Sequence, residues 1–332
     1  MLSPQPNVLF VVMIFVSAFL ITLILIPLVK RLSSSIGAMG SDVHKPDKPL
    51  IPKLGGLAIF LGTLIPLTAA AIIYNIYATV FVAYLLSAII ASSIGLLEDL
   101  RELNPILKPL LISLAGLPII LFGVYSPTPE LPFIGQTRMF LVYPLLIIAG
   151  YAVLSNAVNS TDVLNGSMAL MSIIALIPLI FISYLQGEYE AFIISLTLLG
   201  SLIAFLTQNK YPSKIFAGNV GSLFVGATIA TIAIVGKMEV AAIIALMPQI
   251  MNEFHIIFSI GGLKSARYLA KRPVEVKNGK LYASRDRDSP VTLVRLITAI
   301  QPMTEPRVVR YMAMLSAYAA ILALITQFLL IG

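Results

Sequence analysis

Ten apolar runs dominate this sequence, at roughly 8–29, 54–74, 78–97, 106–125, 140–155, 168–185, 190–207, 215–236, 239–260 and 309–331. Most have the length that a helix rising 1.5 Å per residue needs to cross about 30 Å of hydrocarbon. Of the 332 residues 58% are hydrophobic and 11% are charged, too few charges to cover a water-exposed globule. Inside hydrocarbon every backbone N–H and C=O must find its partner within the protein, so runs of this kind predict helices. The expected fold is an all-α integral membrane protein of about ten transmembrane helices. Residues 1–332 read as a single multi-pass membrane domain, with no soluble domain, low-complexity tract or internal repeat.

The charges assign the sides. The loops 30–53, 98–108, 208–214 and 261–310 carry 20 of the 22 Lys and Arg residues; only Arg138 and Lys237 lie elsewhere. An excess of Lys and Arg marks cytoplasmic loops, so both termini are expected outside. The cytoplasmic loops are then about 30–53, 98–108, 156–167, 208–214 and 261–308. The first run has no Lys or Arg before it and is followed at once by Lys30 and Arg31, so it is expected to be a retained helix and not a cleaved signal. The pI near 9.5 reads as topological charge, and nucleic acid is not expected as a partner. With no cysteine in the chain, disulfide and thiolate chemistry are excluded.

The last cytoplasmic loop has structure of its own in this reading. "VEVKNGKLYAS" (274–284) alternates about Asn278-Gly279, the dipeptide that suits a two-residue hairpin turn. "DSPVTLVRLITAI" (288–300) offers Ser289 as N-cap, Pro290 at the first helical position and an apolar face beyond, which predicts a short helix at the membrane interface.

Four polar clusters fall on the basic side. Glu98 and Asp99 end the third run, with Arg101, Glu102 and Lys108 after them; they read either as a solvated helix end or as a carboxylate serving as base or metal neighbour beside a phosphate-neutralising lysine. "SNAVNSTDVLNGSMAL" (155–170) concentrates Asn156, Asn159, Asp162 and Asn165 at membrane depth, where such groups are costly unless satisfied. Asn156 and Asn159 are spaced to share a helix face; the plainer reading of the stretch is a polar turn at Asn165-Gly166. "QNKYPSKIFAGNVGSLFVG" (208–226) has glycines that permit close helix packing or leave amides free for an anion. The basic loop with Lys264, Arg267, Lys271 and Arg272 suits headgroups or phosphates. The proline-broken "VHKPDKPLIPKLGGLAIF" (43–60) predicts an extended approach to a helix, and its lysines, Lys48 among them, suit the same ligands. Asn252, Glu253 and His255 form a further polar group inside a run, read equally as structural pairing or as a remote site.

In this order and spacing the clusters resemble the polyprenyl-phosphate N-acetylhexosamine-1-phosphate transferases, glycosyltransferase family 4. "KPLIPKLGG" resembles the family's first cytoplasmic motif, "GLLEDLRELNPILKPLL" its paired-aspartate motif, "NAVNSTDVLNG" its Asn-x-x-Asn motif and "FAGNVGS" its Phe-x-Gly-Asp-x-Gly-Ser motif. "VKNGKLYAS" is similar to a segment of the dolichyl-phosphate branch. The resemblance implies transfer of GlcNAc-1-phosphate from UDP-GlcNAc to a polyprenyl or dolichyl phosphate, with release of UMP. It implies Mg²⁺ as cofactor, with Mn²⁺ as the alternative ion. By carry-over Asp99, Glu98 and Asp162 are the catalytic carboxylates and Asn159 and Asn219 the metal ligands. Lys48, Lys108, Asn156, Asn165, Gly166, Arg267, Lys271 and Arg272 are the substrate-binding set. The active site is expected to be cytoplasmic, in the cell membrane of a prokaryote or the ER membrane of a eukaryote, with the lipid bilayer as surroundings and a homodimer as an allowed assembly.

Three departures stand beside the matches. Glu98 replaces the first of two aspartates, Asn219 replaces an aspartate, and the last loop has no histidine, the only two being His44 and His255. Two other readings therefore stay open. One is a relative that binds nucleotide sugar or lipid phosphate without transfer; the other is a transporter, whose polar residues would have to run through the bilayer rather than crowd one face.

Overall fold

The computed structural model describes residues 6–45, 47–74, 78–264 and 271–331. It is helical through all ten apolar runs, and the helices are α1 (Val8–Ser35), α2 (Gly56–Tyr74), α3 (Ala78–Leu100), α4 (Leu107–Ser113), α5 (Leu117–Leu121), α6 (Tyr143–Ser160), α7 (Ser167–Leu185), α8 (Tyr189–Asn209), α9 (Gly218–Val235), α10 (Glu239–Ala245), α11 (Met247–Ser259), α12 (Leu293–Ile300) and α13 (Glu305–Thr326). Among the described residues six of these are long and apolar enough to cross a membrane, seven if α10 and α11 count as one bent span. The protein is thus a mostly helical, multi-pass membrane protein.

Two of the expected continuous spans are broken. The run at 106–125 splits into α4, a 3₁₀ turn at Leu114–Gly116 and α5, just ahead of Pro118, whose ring removes a donor and crowds the carbonyl of Leu114. The run at 239–260 breaks at Leu246, and α10 and α11 meet at 67°; Pro248 is likewise unable to bond back to Ile244. Helix ends also extend into the expected loops. α3 reaches Leu100 and α6 reaches Ser160, so Glu98, Asp99, Asn156 and Asn159 all stand on last helical turns.

α9 is the axis of the molecule, with every residue from Val220 to Val235 buried. Its small residues let neighbours approach closely. A Cβ on Gly56 of α2 would fall 2.0 Å from the Gly221 amide, and one on Gly95 of α3 2.4 Å from the Asn219 carbonyl oxygen. Hydroxyls tie the packed helices together: Tyr84 pairs with Thr228 at 3.2 Å and Tyr151 with Thr231 at 2.7 Å, while Ser87 donates to Tyr151 at 2.9 Å. Partners of this kind are what polar groups need at such depth. α2, α3, α6 and α8 surround α9, α1 lies outside α2 and α8, and α13 packs on α7 and α10.

Among the described residues, three short antiparallel hairpins decorate the helices. β1 (Met39–Ser41) pairs with β2 (Leu50–Pro52), the proline-rich approach to α2, and β3 (Glu130–Leu131) pairs with β4 (Gly135–Gln136). β5 (Val274–Lys277) and β6 (Lys280–Ala283) form the expected hairpin, with Asn278 at φ 50° and Gly279 at φ 69°. The cap of α12 differs from expectation. Thr292 caps it, accepting the Arg295 N–H at 3.1 Å, and Pro290 stays outside the helix. Ser289 is committed elsewhere, its hydroxyl to Ser284 at 2.8 Å and its carbonyl to the Arg295 guanidinium. The hairpin, α12 and the neighbouring ends of α7 and α13 share a small core of their own around Met171, Leu281, Ile297 and Met303.

Candidate active site

Several helix ends meet at the N-terminus of α9. Residues 52–56 run beside 216–217: the Phe216 N–H donates to the Pro52 carbonyl at 2.8 Å and the Gly55 N–H to the Phe216 carbonyl at 2.9 Å. That pairing brings Lys53 beside Gly218. Gly218 sits at φ +70°, and a Cβ there would lie 2.3 Å from the Lys53 carbonyl oxygen and 2.6 Å from the Asp99 carboxylate. Only glycine fits both the backbone and the space.

Asp99, 8% exposed, projects from the end of α3 onto this N-terminus. Its Oδ2 accepts the Val220 N–H at 2.9 Å, its Oδ1 accepts from Asn219 Nδ2 at 3.2 Å, and Lys53 Nζ stands 3.5 Å away. The carboxylate thereby caps an otherwise unsatisfied turn at the positive end of the helix dipole. Asn219 Oδ1 in turn accepts from Lys108 Nζ at 2.9 Å and from Asn159 Nδ2 at 2.8 Å. Lys108 also donates to Asn159 Oδ1 at 3.2 Å, and Asn159 donates to Ser222 at 2.7 Å. Five elements of the chain are joined through one polar network.

The network opens into a cavity of about 360 Å³ lined by Asp99, Asn159, Asp162, Asn219, Lys53 and the strap at 40–44. Asp162 lies in the turn between α6 and α7 and accepts a hydrogen bond from the Gly218 N–H. Burial pushes its carboxyl up to about 7, with the Asp99 charge adding to the rise. His44 on the strap is pushed below its usual range, mainly by burial, against the pull of Asp42 and with help from the Lys45 and Arg272 charges.

The raised Asp162 has a measurable consequence. An unfolded aspartate titrates near pH 4, so between about 4 and 7 the folded protein keeps a proton that the unfolded chain has released. Stability therefore falls as pH rises through that window. In EDTA the Tm is expected to decline from pH 5 to pH 8, and Asp162→Asn to flatten the decline; equal slopes for both proteins contradict the assignment.

Of the expected site residues, Asp99, Asp162, Asn159, Asn219 and Lys108 come together. Glu98 does not join them: it accepts the Leu103 N–H at 2.7 Å and closes the turn after α3. Asn156 donates to its own helix at the Ala152 carbonyl, 2.8 Å away. Lys48 is exposed outside the cavity lining. Asn165 lines the cavity, and Gly166, at φ 79°, starts α7 behind it. Lys271 is exposed and paired with Asp286, which raises its affinity for a proton; Arg272 is exposed nearby, and Arg267 lies outside the described residues. Ser222 joins the site although it was not among the expected residues, and Lys53, one of the 43–60 lysines read as suiting phosphates, joins it where Lys48 does not. The signal that sets Lys53 apart from Lys48 is its place immediately before Leu54-Gly55-Gly56, where close packing holds the backbone in register.

Among the described residues no three His, Cys, Asp or Glu side chains gather as a metal-binding group. The donors that do converge are oxygens: the carboxylates of Asp99 and Asp162 and the amide carbonyls of Asn159 and Asn219. A small hard dication that retains several waters needs few protein ligands and takes oxygens, so the residues fit Mg²⁺.

Comparison with known proteins identifies the family. The profile of glycosyl transferase family 4 matches residues 80–237, which hold Asp99, Asn159 and Asn219. A Saccharolobus solfataricus protein, provisionally named UDP-N-acetylglucosamine--dolichyl-phosphate N-acetylglucosaminephosphotransferase, is 32% identical, covering 87% of this chain and 88% of its own. A Bacillus subtilis protein, provisionally named undecaprenyl-phosphate N-acetylglucosaminyl 1-phosphate transferase, is 29% identical over 80% of this chain and 74% of its own. The phospho-N-acetylmuramoyl-pentapeptide-transferase of Bacillus subtilis is 27% identical over 77% and 83%. With the Saccharolobus relative 32% identical over 88% of its own length and the family profile matching residues 80–237, the chain belongs to glycosyl transferase family 4.

Proposed function

We propose that this protein transfers GlcNAc-1-phosphate from UDP-GlcNAc to a polyprenyl phosphate of the dolichyl type and releases UMP. An oxygen of the lipid phosphate attacks the β-phosphorus, the bond from that phosphorus to the bridging oxygen breaks, and the electron pair leaves with UMP. Both reactants are anions, so positioning and charge neutralisation dominate the barrier. The observation that carries this reading is the closed network of Asp99, Asn219, Lys108 and Asn159 at the floor of a cavity also reached by Lys53.

Lys108 and Lys53 offset the phosphate charge, each already oriented by partners on other helices. Asp99 orients and activates the acceptor phosphate, and Asp162 faces it across the cavity. Asp99, Asp162, Asn159 and Asn219 would hold the divalent ion, Mg²⁺ or Mn²⁺, which when bound supplies Lewis-acid neutralisation of the diphosphate. The names of the Saccharolobus and Bacillus relatives support a GlcNAc-phosphate donor and a polyprenyl acceptor. Purified protein given UDP-GlcNAc, dolichyl phosphate and Mg²⁺ is expected to release UMP; no turnover with any UDP-sugar defeats the reading. The replacement of the family aspartate by Asn219 favours a second reading, a relative that binds without transferring, which predicts retention of UDP-GlcNAc with no UMP formed.

We further read the ten apolar segments as ten crossings of one membrane domain, with the cavity on the cytoplasmic face and both termini outside. The support is the gathering of 20 of 22 Lys and Arg on one set of loops. In this cysteine-free chain, Lys237→Cys should react with an impermeant maleimide on intact cells and Lys210→Cys only after permeabilisation. The opposite pattern reverses the topology.

A further inference from the structure

A second buried polar cluster lies beside the cavity, and none of the proposed chemistry uses it. Four segments distant in sequence meet around the ammonium of Lys45. Its Nζ pairs with the Glu305 carboxylate, lies 3.2 Å from Asp42 Oδ2 and sits over the Tyr211 ring, 4.1 Å from the centroid. Glu305 uses its other oxygen to accept the Asn165 N–H at 2.6 Å. The Asn165 side chain is taken up as well: Nδ2 donates to Asp42 Oδ2 at 3.1 Å, and Oδ1 accepts the Ser213 N–H at 2.8 Å with Lys45 Nζ 3.5 Å away. Asp42 and Glu305 are each 4% exposed and Asn165 5%.

Charges this deep are retained only when paired and hydrogen-bonded, and here each has at least two partners. What the cluster joins is informative. Asp42 and His44 belong to the strap that lines one side of the cavity, Asn165 to the turn that carries Asp162 and lines another, and Glu305 to the first turn of α13, outside the cavity lining. The strap and the turn are held together by a residue that does not itself line the cavity.

The geometry points to Glu305 as a latch: through Lys45 and Asn165 it clamps the 42–45 strap against the 161–166 turn and sets the width of the cavity that receives the nucleotide sugar. Glu305 is a positioning residue, and Asn165 serves the clamp instead of offering its amide to the nucleotide. The assignment rests on the transfer reading above for its kinetic consequence, but its structural consequence can be read without any turnover.

Glu305→Gln keeps the shape and leaves Lys45 paired with Asp42, so it loosens the clamp without stranding a buried charge. The KM for UDP-GlcNAc is expected to rise about tenfold, the scale of one lost charge-assisted bond, with kcat within about twofold. Lys45→Gln removes the counter-ion of both Asp42 and Glu305 and should be the more damaging single change. The double variant, which leaves one buried carboxylate instead of two, should be no worse than Lys45→Gln alone, since both substitutions cut the same link. A merely structural role would instead lower kcat and Tm together and leave KM unmoved, which overturns the proposal. The second measurement uses the cysteine-free background. Val43→Cys, on the strap, should react with a charged maleimide several-fold faster when combined with Glu305→Gln or, if that protein does not fold, with Glu305→Asp, which keeps the charge beside Lys45 but shortens the reach to the Asn165 N–H. UDP should slow the reaction in the Val43→Cys protein alone. Equal labelling rates with and without the latch substitution overturn the proposal even if the protein transfers no sugar. An absence of turnover with a faster labelling rate upholds the latch and defeats only the transferase reading.

Discussion

Asp99→Asn is expected to lower kcat by at least about 10³-fold, the range over which a positioned acid–base or electrostatic group acts, while the protein remains folded. The carboxylate accepts two hydrogen bonds and faces Lys53 at 3.5 Å. An asparagine in its place keeps one acceptor and presents an NH₂ to either the Asn219 NH₂ or the Val220 N–H. Donor then meets donor, the Asn219 amide loses its orientation, and with it go the partners of Lys108 and Asn159. The anionic cap of α9 is also lost, which costs about 1 kcal/mol. That loss is small beside the packing of a helix buried along its length, so Tm should fall by only a few degrees. UMP release by membranes carrying the variant, normalised to protein amount, checks the prediction. Activity within tenfold of the unsubstituted protein would remove Asp99 from the chemistry.

This prediction singles out Asp99 and spares Glu98, a distinction the sequence could not draw. Adjacent residues on a helix with 3.6 residues per turn point about 100° apart, so one of the pair can face α9 and the other cannot. Which one faces inward depends on the rotation of α3, fixed by Gly95 against the backbone of Asn219 and Val220. The same holds for Asn156 and Asn159. Their spacing suggested a shared helix face, yet only Asn159 reaches α9, while Asn156 bonds back to Ala152. The ten helical segments and the 274–283 hairpin were legible because hydropathy and turn chemistry are local properties. The breaks at Leu114 and Leu246 were less so, since Pro27, Pro66 and Pro178 sit within unbroken helices. Proline alone does not decide whether a helix bends; its surroundings do. Glu305 was invisible for a related reason. It stands 260 residues from Lys45, and nothing in its own neighbourhood marks it as a partner for a buried cation.

Asn219→Asp should convert the site from one that is complete in itself to one that demands a cation. As it stands, the Asn219 amide donates to Asp99 and accepts from Lys108 and Asn159, so every group is satisfied by protein alone. An aspartate cannot donate. Its oxygen would meet the Asp99 oxygen at the 3.2 Å now spanned by a hydrogen bond, and two carboxylates so close resist ionising together unless a positive charge lies between them. Lys108 can relieve part of this, being already within 2.9 Å of the side chain, but it also serves Asn159. In EDTA the variant is therefore expected to melt lower than the unsubstituted protein by roughly 5 °C, from a repulsion on the order of 1–2 kcal/mol. Millimolar Mg²⁺ should restore it, because an ion that binds only the folded state stabilises it in proportion to its affinity, and an added carboxylate strengthens a site for a hard dication. For the unsubstituted protein the same Mg²⁺ should raise Tm by less, since its site holds one carboxylate fewer. If EDTA lowers its Tm as far as that of Asn219→Asp, the asparagine is not what completes the network. The transfer rate then separates the two functional readings. A large gain in UMP release on restoring the aspartate marks a protein whose binding site outlived its chemistry, whereas a rate that stays level means that Asp99, Asp162 and Lys108 suffice.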